Sequence, residues 1–262
     1  MPKHFAAMDL GAESGRVIVG KFDGARLSLN VVYRFPNRPV RVAGHLHWDA
    51  LRLFDETQTG LYIAAKECGE IASVGVDTWG VDFGLLDQNG TLIGNPYHYR
   101  DHRTDGMMER VFERVPRAEI FATTGIQFMQ LNTLYQFASM QATPALDIAQ
   151  TLLLMPDLLN YWLTGEKLGE FTIATTTQFY DSRRRAWATD LLANLGLPTH
   201  ILPHVISPTT KIGALLASLA DQPGLQRTRV VAPACHDTGS AVAAVPARGE
   251  HFAYISSGTW SL

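Results

Sequence analysis

An apolar run at residues 5–8 ends in Asp9-Leu10-Gly11-Ala12-Glu13-Ser14-Gly15-Arg16 and is answered at once by an alternating segment at 16–22. Alternation is the period-2 signature of a half-buried strand, and the glycines supply a tight turn. The opening therefore reads as strand, glycine turn, strand. Asp23-Gly24 marks a second hairpin turn, and residues 27–33 a third strand. Together these predict an antiparallel meander.

Beyond it, Asp49 is placed to cap a helix running towards Lys66. Residues 71–76 (IASVGV) have the continuous apolar character of a buried strand, and 83–86 continues extended. From 104 to about 219 helical signals dominate, with candidate helices at 107–115, 134–141, 158–163 and 190–195. Pro116, Pro144, Gly165, Gly196 and Pro198 separate them. Residues 229–233 (RVVAP) predict another buried strand, and CHDTGSAVAAV after it a tightly packed helix of small residues. PARG at 246–249 reads as a hinge, and 252–256 as the start of a new strand.

The start of that last strand echoes the beginning: FAAMDLGA at 5–12 and FAYISSGT at 252–259 share Phe, Ala, an apolar residue and Gly at matching offsets. The echo suits a duplicated fold in which each half offers one phosphate-binding hairpin. On that reading the second copy stops at Leu262 before its return strand, and the 262 residues are expected to be a fragment.

Composition narrows the function classes. A net charge of −3 and a pI near 6.3 argue against a nucleic-acid binder, which needs a basic stripe for phosphates. No apolar stretch approaches the ~18 residues of a membrane helix, and the N-terminal run is too short for a signal peptide. Two cysteines, Cys68 and Cys235, make neither a disulfide framework nor a CxxC pair and fit a cytoplasmic protein. GxxxxGK[ST], GxGxxG and HExxH are all absent.

Four short segments could carry chemistry, each with a plainer reading beside it. The turn at 9–16 could offer backbone N–H groups to a phosphate while Asp9 holds Mg²⁺ through water; plainly it is a hairpin with a polar turn. Asp77-Thr78-Trp79-Gly80-Val81-Asp82 joins two carboxylates, a ring and a bare backbone, a set suited to a polyol; plainly it is a strand end with a core Trp. Asp237, within Cys235-His236-Asp237-Thr238, is a helix N-cap or a general base that takes a proton from an attacking hydroxyl. His236 and Thr238 flank it. Ser256-Ser257-Gly258-Thr259 is a plain turn or a second phosphate cradle. Residues 99–104 (YRDHRT) are an ion-pair cluster or a solvated loop, and a role for Thr175-Thr176-Thr177 towards a cleft is conjecture.

Taken in order, DLGAESGR, GVDTWGVDF, YRDHRT, HDTGSAV and SSGTWSL resemble the FGGY carbohydrate kinases, and within them the branch that phosphorylates L-rhamnulose. The resemblance extends through GHLHWD, GIQF, NTLYQ, LLMPDLLNYWLTG and ATTTQ. It implies an α/β fold, a ribonuclease-H-like (actin-like ATPase) lobe with a mixed sheet and a helical insertion. Residues 1–245 would form the N-terminal lobe, which binds sugar and holds the base. Residues 246–262 would form a hinge and the first strand and phosphate turn of a truncated second lobe. Ala12, Glu13, Ser14, Gly15 and Arg16 would lie along the ATP phosphates, with Thr259 from the second cradle. Asp9 would sit near Mg²⁺. Gly80, His236, Asp237 and Thr238 would meet the sugar, with Asp237 the proton acceptor. The implied reaction is L-rhamnulose plus ATP giving L-rhamnulose 1-phosphate plus ADP. The adenosine pocket would lie in the missing lobe, supplied in cis or in trans, so this fragment alone would lack most of its activity. A non-catalytic sugar-binding module, or a sister kinase for L-fuculose or xylulose, are the alternatives.

Overall fold

The computed structural model describes residues 2–141, 143–249 and 251–257. Strands β1 (Lys3–Leu10), β2 (Ser14–Phe22) and β3 (Leu27–Pro36) form the expected meander. A small hairpin, β4 (Val40–Val42) and β5 (His45–His47), leads into helix α1 (Ala50–Cys68). The Asp49 carboxylate caps that helix, accepting the Arg52 N–H at 3.1 Å. The chain returns as β6 (Ile71–Thr78), parallel to β1, and continues to β7 (Phe83–Leu86).

Helices α2 (Met107–Arg114), α3 (Arg117–Thr124), α4 (Thr133–Ala138) and α5 (Pro144–Ile148) follow. The helix expected at 134–141 ends at Ala138, because the N–H groups of Met140 and Gln141 bond back only three residues. Next come β8 (Thr151–Leu154), α6 (Met155–Thr164), β9 (Leu168–Glu170) and α7 (Phe171–Ala174). Then come β10 (Tyr180–Asp181), β11 (Ala186–Trp187), α8 (Thr189–Asn194), β12 (His204–Ile206) and β13 (Lys211–Ala214). The described elements end with α9 (Ala217–Ala220), β14 (Arg229–Val231) and α10 (Asp237–Ala243). The stretch expected to be helical thus also holds strands. β8 pairs with β7 and β9 with β12, partners far apart in sequence. TLLLMPDLLNYWL is apolar throughout, so local periodicity does not separate its strand from its helix.

One six-stranded sheet, ordered β13-β14-β6-β1-β2-β3, organises the molecule. β14, β6 and β1 run parallel, and the outer strands are antiparallel to their neighbours. Side chains alternate between its faces. Ala6, Met8 and Leu10 stand in register with Val74, Val76 and Thr78, and this row is buried in one core with Leu53 and Leu61 of α1 and Leu158 and Leu159 of α6. The α1 stripe lies so close to β2 that a Cβ on Gly60 would fall 2.3 Å from the Val17 side chain. The opposite row, Ala7 beside Gly75 and Asp9 beside Asp77, lies on the face those helices leave open. A second core gathers α2, α4, β8 and α8 around Tyr135, Phe137 and Phe179.

Two expectations change at the C-terminal side. No residue of α10 is buried, so that helix is not tightly packed: its alanines and Val242 face solvent. Residues 252–256 carry no strand, and Phe252 and Ile255 stand exposed. An extended segment becomes a strand only when a neighbour takes up its N–H and C=O groups.

Candidate active site

The carboxyl ends of the three parallel strands point to one place, the usual position of a site in an open α/β sheet. A cavity of about 760 Å³ opens there. Asp9, Gly11, Ala12 and Arg16 form one wall and His236, Asp237, Thr238 and Ser240 another; Asp77, Trp79, Gly80, Asn132, Thr175 and Thr176 lie between them. The hairpin that opens the chain and the carboxylate after β14 therefore share one cavity.

The hairpin wall is built locally. Arg16 is the cross-strand neighbour of Asp9, and its Nε and an Nη donate to Asp9 Oδ2 at 2.8 and 2.5 Å. The Gly11 N–H closes the turn on the Ser14 carbonyl at 2.9 Å. Asn37, 4% exposed, braces it from outside: its Nδ2 donates to the Gly11 carbonyl and its backbone N–H to that of Glu13. Of the five phosphate-turn candidates, Ala12 and Arg16 line the cavity. Glu13 and Ser14 are exposed at the tip, and Gly15 is buried beneath the Phe35 ring, which a Cβ would strike at 2.2 Å.

Asp77 follows from strand register: it lies beside Asp9 across β1 and β6, and Thr78 bridges to His236. Burial, Asp9 and Asp237 push the Asp77 carboxyl well above the usual carboxylate range, against the pull of Arg16. Asp9 and Asp77 thus set carboxylate oxygens side by side, a donor chemistry suited to a hard cation such as Mg²⁺.

Asp82, expected to face a ligand, does not. It is 1% exposed and is the knot of the loop beneath the cavity floor. Trp48 and Trp79 both donate indole N–H groups to Oδ2, at 2.5 and 2.9 Å, and Gln136 donates to Oδ1 at 2.7 Å. Burial raises its carboxyl to about 6, with those three bonds opposing. Asp82 thereby presents the Trp79 face and Gly80 to the cavity. The next residue, Val81, has φ +72, a strained conformation for a β-branched side chain. It is held by Thr176 Oγ1, which accepts the Val81 N–H at 3.1 Å, and by Thr133 Oγ1, which donates to the Val81 carbonyl at 2.7 Å. Gly80 leaves room for Thr176, which a Cβ would meet at 3.0 Å.

Asp237 is the first residue of α10. Its Oδ1 accepts the Thr238 N–H at 2.5 Å and the Thr238 hydroxyl at 3.2 Å. Among the described residues, Oδ2 has no hydrogen-bond partner. His236 Nε2 stands 3.5 Å from Oδ1. Burial lowers the His236 pKa, with Asp237 opposing, which favours a neutral imidazole. Thr259 lies outside the described residues; Ser256, from the same expected cradle, reaches the cavity.

Of the two readings of the 99–104 run, the structure favours the ion-pair cluster over the solvated loop. Asp101 is its buried hub, accepting from Leu46 and Arg103 N–H groups and facing His45 Nδ1 at 3.0 Å. The His45 and His102 rings beside it stack nearly parallel, 4.9 Å apart, and the Nδ1 atom of each faces the Asp101 carboxylate. Sequence reasoning missed Asn37, and it missed Asn132 and Glu170 as individual residues. Asn37 and Glu170 act through backbone groups remote in sequence, for which a single sequence carries no signal. Asn132 follows an apolar run and looks like an ordinary helix cap.

Residues 5–244 match the N-terminal domain of the FGGY family of carbohydrate kinases. The chain is 44% identical over 264 residues to a protein named rhamnulokinase from Bacteroides thetaiotaomicron, a match covering 100% of this chain and 54% of that relative. It is 42% identical to the rhamnulokinase of Oceanobacillus iheyensis, covering 98% of this chain and 54% of the relative. It thus spans about half the length of the curated relatives it matches. Among solved structures, gluconate kinase from Lactobacillus acidophilus superposes with a TM-score of 0.79 at 17% identity, over 88% of this chain and 47% of that one. Ligand-bound xylulose kinase from the same organism superposes with a TM-score of 0.78 at 18% identity, over 87% and 47%. These superpositions place the mixed sheet and its helical insertion in the ribonuclease-H-like, actin-like ATPase fold.

Proposed function

The chain belongs to the FGGY family of carbohydrate kinases, and on that footing we propose that the protein it forms transfers the γ-phosphoryl group of ATP to O1 of L-rhamnulose. One observation carries the reading: Asp237, whose Oδ2 has no hydrogen-bond partner among the described residues, lines the same cavity as Asp9, Ala12 and Arg16. Relatives named rhamnulokinase, at 40–44% identity over nearly the whole chain, point to the sugar.

In this mechanism Thr238 fixes the Asp237 rotamer through Oδ1 and leaves Oδ2 for the sugar hydroxyl. The hydroxyl oxygen forms its bond to the γ-phosphorus as the bond to the bridging oxygen of ADP breaks. Its proton passes to Asp237 Oδ2, late in a loose transition state where a carboxylate is basic enough. Neutral His236, Thr238 and the Gly80 backbone orient the other hydroxyls, and the Trp79 ring takes the apolar side of the sugar. The Ala12–Arg16 turn, of which Ala12 and Arg16 line the cavity, would lie along the phosphates. Asp9, beside Asp77, would hold Mg²⁺ through water, and the ion would supply charge neutralisation at the phosphates. A second lobe, in cis or in trans, completes the nucleotide pocket. With two free thiols, one of them buried, the protein suits the cytoplasm.

The test is Asp237→Asn in active protein. Phosphorylation of L-rhamnulose should fall roughly 10²–10⁴-fold, the usual loss with a general base; near-normal turnover would remove Asp237 from that role. A panel of L-rhamnulose, L-fuculose and D-xylulose tests the sugar, and preference for either of the latter two would reassign the substrate.

A further inference from the structure

Asp237 does not hold its own place. α10 has no buried residue, so packing of that helix does not locate the carboxylate. The two residues before it are tied down instead. The Cys235 N–H donates to Glu170 Oε2 at 3.1 Å. The His236 N–H donates to Thr172 Oγ1 at 3.1 Å, and that hydroxyl donates to the same Glu170 oxygen at 2.6 Å. Glu170 Oε2 also caps α7, accepting the N–H groups of Thr172 and Ile173 at 2.9 and 3.2 Å. One oxygen, on a residue 1% exposed, thus gathers four donors and fixes two consecutive backbone positions before Asp237.

Behind it lies a second buried acid. Asp157, 2% exposed, accepts the Glu170 N–H through Oδ1 at 3.0 Å. Its Oδ2, Glu170 Oε1 and Asn160 Oδ1 are buried without hydrogen-bond partners among the described residues. Two carboxylates sharing such a site do not both ionise readily. Burial and the charge of Glu170 push the Asp157 carboxyl well above the usual range, which favours its neutral form.

We infer that Glu170 is a positioning residue for phosphoryl transfer: its carboxylate, with Thr172 as relay, sets the Cys235–His236 backbone that aims Asp237 at the substrate. The carbonyls of the same segment are held separately: Cys235 accepts the Thr78 N–H at 2.9 Å, His236 the Ser240 N–H at 3.0 Å and Ala234 the Ser240 hydroxyl at 2.7 Å, so the two N–H groups depend on Glu170 and Thr172. The inference rests on the kinase reading for its catalytic half and on geometry alone for its structural half.

The experiment reads the two halves separately, by residue-resolved amide hydrogen exchange and by kinetics on the kinase expressed from its whole gene. Glu170→Ala should speed exchange at both Cys235 and His236 and lower kcat about 10²-fold, the scale of a catalytic group displaced by about 1 Å. Glu170→Gln keeps an acceptor oxygen without the charge and should fall between Ala and the unaltered protein. Thr172→Val should speed exchange at His236 but not at Cys235, with a smaller loss of kcat. Asp157→Asn, replacing a neutral acid by a neutral amide, should leave kcat nearly intact. If Glu170→Ala loosens the whole molecule, Thr172→Val decides alone through its His236-only signature. Unchanged exchange at His236 in Thr172→Val would overturn the tie. Faster exchange with undiminished kcat in both Thr172→Val and Glu170→Gln would overturn the positioning role and leave the kinase reading standing. Absence of turnover in the unaltered protein would count against the kinase reading, and the exchange data would still decide the tie.

Discussion

The two walls of the cavity are held in opposite ways. The hairpin wall is largely self-contained: the Arg16–Asp9 ion pair and the Gly11–Ser14 turn bond join residues within eight positions of one another, with Asn37 and the Trp79 N–H bracing it from outside. The Asp237 wall borrows its position from Glu170 and Thr172, more than sixty residues earlier. A turn of the first kind keeps its shape if its surroundings loosen, as phosphate-binding turns must do when a nucleotide enters. A wall of the second kind is only as exact as the buried core behind it.

Removing each wall's external support tests that contrast most strongly. Glu170→Ala strands three backbone N–H groups, those of Ile173 and Cys235 buried, and a hydroxyl; a buried one left unsatisfied is worth about 1–3 kcal/mol. Some relaxation is expected, so urea denaturation should show a loss of about 3–5 kcal/mol. Asn37→Ala removes one bond to the Gly11 carbonyl and should cost about 1–2 kcal/mol. Equal losses would mean that the walls are supported alike.

The floor between the walls makes its own prediction. Burial raises Asp82 to about 6 from 3.8, so the folded protein binds that proton more tightly than the unfolded chain. Its stability contribution is complete below about pH 4 and is lost as pH rises through about 6, a change of about 3 kcal/mol. Asp77 and Asp157, raised by the same cause, act in the same direction. Denaturation midpoints at pH 5 and pH 7.5 measure the sum. Tryptophan fluorescence isolates Asp82, because Trp48 and Trp79 donate directly to it; a titration midpoint near 6 is expected, and a flat signal would contradict the assignment.

The same contrast explains what the sequence shows. The meander, the Asp49 cap, the 71–76 strand and the turn at 9–16 depend on neighbours a few residues away, and all are legible. Strand alternation also places Asp9 and Asp77, since residues in register share a face. Asp82 is different. Its position in DTWGVD looks identical to that of Asp77, and two of its three side-chain partners are remote: Trp48, 34 residues back, and Gln136, 54 residues on. Glu170 is one acid in LGEFTIA, where its sole local trace is the cap it makes for α7. The β7–β8 and β9–β12 pairs escape for the same reason, because long-range pairing leaves no period in the chain.

Within the hairpin wall, Gly15 separates packing from phosphate contact. Its missing Cβ makes room for Phe35, so Gly15→Ala should cost about 1–3 kcal/mol by overpacking. A loss of ATP affinity without a loss of stability would instead put Gly15 against the nucleotide.

The smallest effects belong at the tip. Glu13 and Ser14 are exposed and outside the cavity lining, so Glu13→Gln and Ser14→Ala should each change stability by no more than about 0.5 kcal/mol. If the turn binds phosphate through its backbone, KM for ATP should move less than about threefold, equivalent to about 0.6 kcal/mol. Glu13→Gln sharpens this further, because a carboxylate facing the phosphates would repel them and its removal would tighten ATP binding. A KM lowered well beyond threefold would mean that the tip folds over the nucleotide when it binds, and the hairpin wall would then be the mobile side of the cavity.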